Sequence, residues 1–188
     1  MPTSVDRASP EFNLPDLLRL RPYFEALDNT YLETLTQQAV RCSFDPQGVI
    51  FLEGDPCAGL WIVERGRIKV YKLNPEGREH ILHLLSPGDA FNEIAALDCG
   101  PNPANAAALS EAIAWRISCE ALADALQANP TFALAVIRFL TARVRTLVQQ
   151  IEDLALYSVT ARLARFLLTQ ADSPSLDGPG VTRAAIAA

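Results

Sequence analysis

The chain has 188 residues, 49% of them hydrophobic and 20% charged, with a formal net charge of −6. That apolar share excludes a disordered chain, and the acidic balance excludes a surface that binds nucleic acid throughout. No run approaches the roughly 18 apolar residues of a membrane span, and Asp6, Arg7 and Glu11 stand where a secretory signal needs an apolar core. A cytoplasmic globular protein is expected.

Residues 1–40 form a first, helical segment. Leu17 and Leu18, then Tyr31, Leu32, Leu35 and Ala39, fall at helical spacing, with Pro15 and Pro22 punctuating the first piece. One or two short helices are expected there.

From residue 41 to 128 the texture becomes β-prone. Short apolar runs occur at Val49-Ile50-Phe51, Leu60-Trp61-Ile62-Val63, Ile68-Lys69-Val70-Tyr71, the stretch from His80 to Leu85, and Ala114-Trp115-Arg116-Ile117. Glycines at 48, 54, 59, 66, 77, 88 and 100 separate them. Short strands with turn signals at such spacing predict an antiparallel β-roll of jelly-roll type. Glu64-Arg65-Gly66-Arg67 and Asn74-Pro75-Glu76-Gly77 read as tight turns.

Asn129-Pro130 is a helix start, a capping residue followed by proline at the first helical position. Ile137, Leu140, Val144, Leu147, Ile151 and Leu154 then recur in alternating steps of three and four, and Ala133 extends the row backward. That is the seam of a coiled coil, so residues 129–156 are expected to pair two copies as a two-fold homodimer. The alternative is an amphipathic helix that only covers the β domain.

A further helix is expected from about Ser158, with Val159, Leu163, Ala164, Phe166 and Leu167 on its apolar face. A turn-rich stretch follows from Asp172 to Gly180, then a helix start with Thr182 as cap. Charge changes sign along the chain: residues 1–136 hold 10 basic against 18 acidic side chains (−8), and residues 137–188 hold 6 against 4 (+2). Two parts with different partners would give such a split.

The four cysteines, Cys42, Cys57, Cys99 and Cys119, form no metal-binding spacing with each other or with His80 and His83. They read as free thiols in a reducing compartment, with a thiol redox sensor as the alternative.

The order of parts resembles the Crp/Fnr family of bacterial transcription regulators. The resemblance is carried by Phe51-Leu52-Glu53-Gly54-Asp55, by Leu60-Trp61-Ile62-Val63-Glu64-Arg65-Gly66 ahead of Ile68-Lys69-Val70-Tyr71, and by Leu85-Ser86-Pro87-Gly88-Asp89-Ala90-Phe91-Asn92-Glu93. Asn129-Pro130 and Ser158-Val159-Thr160-Ala161-Arg162-Leu163-Ala164 also match it. It implies an α+β fold: an effector-binding β-roll of the cyclic-nucleotide-binding type, a dimerisation helix, and over residues 157–188 the beginning of a winged helix-turn-helix domain. The recognition helix that enters the major groove is expected beyond Ala188. DNA, a second copy of the chain, RNA polymerase and a small-molecule effector are the partners the resemblance implies, with no membrane and no enzyme activity.

Cyclic-nucleotide binders of this family use a Gly-Glu pair for the ribose and a following Arg-Ser or Arg-Thr for the cyclic phosphate. Here Asn92 stands in place of the glycine before Glu93, and no Lys or Arg occurs between Arg78 and Arg116. A phosphate without a counter-charge is costly to desolvate, so cyclic AMP is not expected as the effector. The base-contacting positions of the long helix are the aliphatic Leu147 and Val148. The expected pocket comprises Asn92, Glu93, Ile94, Asn102, Asn105, Leu147 and Val148, suited to an uncharged or amide-bearing effector or filled by side chains.

Haem is not expected, because the cassette offers only Cys99 and His83 lies on the strand before it. An iron–sulfur cluster is not expected either, as no cysteine precedes Cys42. Effector control would pass through Leu147, Ile151 and Leu154 to a hinge at Leu156-Tyr157, setting two recognition helices roughly 34 Å apart. The other classes considered are a stand-alone ligand-binding module and a cupin-like enzyme. The enzyme would need clustered histidines, whereas His80 and His83 share one strand.

Overall fold

The computed structural model describes residues 4–5, 13–158, 160, 161 and 164. The chain divides into two compact units, Met1–Ile137 and Arg138–Ala188.

In the first unit, α1 (Leu14–Arg19) and α2 (Asn29–Gln38) are the short helices expected from the N-terminal periodicity. The Asp28 carboxylate accepts the Tyr31 N–H at 3.0 Å and so satisfies one orphan donor at the start of α2. Leu14, Leu17, Leu18, Leu32 and Leu35 are buried.

Among the described residues, nine antiparallel strands make two sheets. They are β1 (Ser4–Val5), β2 (Val40–Phe44), β3 (Val49–Phe51), β4 (Leu60–Arg65), β5 (Ile68–Leu73), β6 (Glu79–Leu85), β7 (Ala90–Phe91), β8 (Asn105–Ala108) and β9 (Ala112–Ile117). One sheet runs β1-β2-β9-β4-β7 and the other β3-β8-β5-β6. Side chains of both sheets meet in one core of Phe44, Phe51, Trp61, Val63, Ile68, Leu85 and Phe91. Alanines 106, 108, 112 and 114 supply the room these rings occupy. Trp61 and Phe91 stack at 6.2 Å, and Phe44 meets Trp61 edge-on at 5.7 Å.

Strand β4 is buried from Leu60 to Glu64 without alternation. Trp61 and Val63 enter the core, while the opposite face of β4 packs against α1. A strand covered on both faces reads as a continuous apolar run. Arg41 of β2 donates to the Glu64 carboxylate from Nε at 2.8 Å and from Nη2 at 2.6 Å, both side chains being buried. This two-pronged ion pair fixes β2 and β4 on either side of β9.

Gly66 takes φ +84°, and a Cβ there would run into the Glu111 carbonyl oxygen, so the turn after β4 requires glycine. The other expected turn closes with Gly77 N–H donating to the Asn74 carbonyl at 2.9 Å.

Two further helices, α3 (Glu93–Asp98) and α4 (Cys119–Ala128), interrupt and follow the β region. The long helix α5 spans Pro130–Leu156. Its start differs in one detail from the expected cap. Asn129 closes α4, its side-chain amide donating back to the Ala125 carbonyl at 3.5 Å, while its own carbonyl accepts the first α5 bond from Ala133 at 3.0 Å. Phe132 and Val136 are buried, with Phe132 stacked on Phe24 at 5.4 Å.

In the second unit α5 continues, exposed at every position from 141 to 150. Ser158 Oγ accepts the Ala161 N–H at 3.4 Å, a cap at the expected helix start. Of its expected apolar face, Val159, Leu163, Phe166 and Leu167 lie outside the described residues, as do the 172–180 turn and the 181–188 helix. The protein is α+β, an antiparallel β-roll followed by helices.

Candidate effector site

The cassette runs from β7 through α3 and a loop into β8. Asn92 stands at the strand-to-helix corner with φ 64° and ψ 26°, a left-handed conformation that asparagine tolerates better than most residues. Its amide Nδ2 donates to the Gly59 carbonyl at 2.9 Å and to Asn102 Oδ1 at 3.0 Å. Its Oδ1 is buried and receives no hydrogen bond from the described residues.

Asn102 is the hub of the loop. It is 2% exposed, and its Oδ1 accepts both Asn92 and the Ala58 N–H, the latter at 3.0 Å. Its Nδ2 donates to the carbonyls of Leu52 and Pro56, both at 3.2 Å. The main chain adds two bonds at 2.9 Å, Gly54 N–H to the Asn102 carbonyl and Asn102 N–H to the Asp55 carbonyl. Asn105, also buried, accepts the Glu53 N–H at 3.0 Å and donates to the Tyr71 carbonyl at 3.3 Å. These two amides tie the loop between β3 and β4 to the cassette; Asn102 spends two accepted and two donated bonds in doing so, and Asn105 one of each.

Glu93, at the first position of α3, accepts the Tyr23 hydroxyl at 2.8 Å. Burial of Tyr23 and the adjacent Glu93 carboxylate push the phenol well above the usual tyrosine range, so it stays a donor. Arg21, in the same segment, donates from Nε to the Gly88 carbonyl at 3.1 Å and from Nη2 to Asp89 at 3.0 Å. Neither Arg21 nor Tyr23 was singled out from the sequence. They lie about 70 positions from their partners, and no periodicity signals such a contact.

The other residues expected in the pocket, Ile94, Leu147 and Val148, are aliphatic. Ile94 projects outward at 63% exposure. Leu147 and Val148 are exposed on the second-unit part of α5. His80 and His83 are both exposed on β6. Along the seam, Ala133 and Leu140 are half-buried, while Ile137, Val144, Leu147 and Ile151 are exposed. The Leu154 side chain lies outside the described residues.

The cyclic nucleotide-binding domain family matches residues 41–129. A CRP-like cAMP-activated global transcriptional regulator of Mycobacterium tuberculosis is 28% identical over 155 residues, 82% of this chain and 69% of that protein. The structure of DNR from Pseudomonas aeruginosa is 31% identical with a TM-score of 0.62, covering 87% of this chain and 73% of that one. The chain belongs to the Crp/Fnr family. The sensor domain of the transcriptional regulator DNR aligns with a TM-score of 0.66 at 28% identity, over 74% of this chain and 93% of that domain. Among the described residues no helix is long and apolar enough to cross a membrane.

Proposed function

We propose that this chain is the sensor and dimerisation part of a homodimeric, cytoplasmic, DNA-binding transcription regulator, without enzyme activity, whose sensor does not bind cyclic AMP. The observation that carries the reading is the state of the cassette. Glu93 is bonded to Tyr23, and Asn102 and Asn105 are committed to the loop between β3 and β4. No lysine or arginine stands between Arg78 and Arg116 to balance a phosphate. The buried Asn92 Oδ1 supports an uncharged effector that brings its own N–H or O–H donor.

The apolar row of α5 supports pairing of two copies. Val144 is 56% exposed and Ile151 65% in the single chain, and coiled-coil seams hide such residues in the partner. Residues 41–128 would then be the sensor, 129–156 the dimer helix, and 157–188 the opening of a winged helix-turn-helix domain that binds DNA and, by family resemblance, meets RNA polymerase. Sedimentation equilibrium tests the pairing. A dimer is expected, and a monomer at micromolar concentration would overturn the dimer reading.

A further inference from the structure

Three of the four cysteines, scattered in the sequence, meet at one corner of the β-roll. Leu60 of β4 pairs with Ile117 of β9, so the loop that holds Cys57 runs beside the residues that follow β9. Cys119 opens α4 there, and Cys99 follows the last residue of α3, which packs against α4. The Cys119 thiol interacts with the thiols of both Cys57 and Cys99. Cys57 Sγ accepts the Gly59 N–H at 3.3 Å. Cys42 is apart, buried in the core between the sheets. Access within the cluster is graded: Cys99 is exposed, Cys57 half-buried and Cys119 buried.

We propose that Cys99 and Cys119 form a thiol modification site that hydroperoxides convert to a reversible disulfide tethering α3 to α4. The inference goes beyond the transcriptional reading and does not depend on it. Exposed Cys99 meets the oxidant. Its thiolate attacks one peroxide oxygen, the O–O bond breaks, and the products are a sulfenic acid and one molecule of water or alcohol. The Cys119 sulfur then attacks the sulfenic sulfur. The S–S bond forms, the S–O bond breaks, and the oxygen leaves as water with the Cys119 proton. Two thiols lose two electrons and the hydroperoxide gains them. Burial pushes the Cys119 thiol up, which slows its own attack on the oxidant. The bond would link the end of the cassette helix to the start of the helix that leads through Asn129 into α5.

The test treats the reduced, full chain with hydrogen peroxide and reads intact mass and tryptic peptides after blocking free thiols. Trypsin cuts after Arg78, Arg116 and Arg138, so Cys99 and Cys119 fall in separate peptides, while Cys42 and Cys57 share another. The expected result is a chain that has lost two hydrogens, with peptide 79–116 joined to peptide 117–138 and released by dithiothreitol. Cys119→Ser should accumulate a dimedone-reactive sulfenic acid at Cys99, and Cys42→Ser should still form the link. Should Cys119→Ser fail to fold by circular dichroism, Cys99→Ser serves instead and should show no such link at the same dose. A sulfenic acid at Cys99 with no link in the unaltered chain would overturn the proposal. So would a Cys57–Cys119 bond as the sole product, or a link between two chains.

Discussion

Replacing Asn102 by alanine removes four side-chain hydrogen bonds from a residue that is 2% exposed. The Ala58 N–H loses its acceptor, while Asn92 Nδ2 keeps the Gly59 carbonyl. A buried donor left without a partner costs about 1–3 kcal/mol, and two carbonyls also lose a donor, so the total should be about 2–4 kcal/mol. At a urea m-value of about 2 kcal/mol/M the midpoint should fall by about 1–2 M with the slope unchanged. Asn102→Asp is the sharper control. It places an acceptor where Nδ2 meets the Leu52 and Pro56 carbonyls, so it should destabilise at least as much as alanine. Urea unfolding followed by tryptophan fluorescence reads both variants. If both unfold at the unaltered midpoint, or if aspartate is the milder change, Asn102 is not the staple described above.

Tyr23→Phe removes the hydroxyl that the Glu93 carboxylate accepts, and bonds to charged groups are worth about 1.5–3 kcal/mol, to be read by urea titration at pH 7. Folded Tyr23 keeps its proton above pH 10.0, where the unfolded phenol loses its own, so stability falls as pH rises past that value. The phenylalanine variant lacks that loss, and the gap between the two proteins should shrink on the alkaline side. Glu64→Ala deprives the buried Arg41 of its carboxylate and should cost about 3–5 kcal/mol in a thermal or urea melt. Ile151→Asp, at a position 65% exposed in the single chain, should leave the melt of the first unit unchanged yet give a monomer by sedimentation.

Much of the β-roll was legible because its strands announce themselves. The runs at 49–51, 60–63, 68–71, 80–85 and 114–117 all lie within strands, and Gly66 turns where its spacing required. Strand β8 was hidden: Asn105-Ala106-Ala107-Ala108 has helical propensity and becomes a strand only through pairing with β3 and β5. Ala106 and Ala108 face the core, where the aromatic rings leave no space for larger side chains. Helices α3 and α4 lie inside the stretch whose composition reads as β-prone, and α3 spans only six residues. In the site, the sequence marked Asn92, Glu93, Asn102 and Asn105 but not which bonds each would spend. Those bonds depend on Tyr23 and on the loop between β3 and β4, which only the fold brings near. The cysteine cluster was invisible for the same reason, since strand pairing and helix packing bring the three thiols together.

The central claim is that this family member keeps the cyclic-nucleotide fold while its cassette has no means to hold a cyclic phosphate. Isothermal titration of the full chain with cyclic AMP addresses it directly. The account predicts no saturable heat at micromolar nucleotide. A dissociation constant at or below the micromolar range would contradict it, because the phosphate would then have a partner that neither Asn102, Asn105 nor Glu93 can supply.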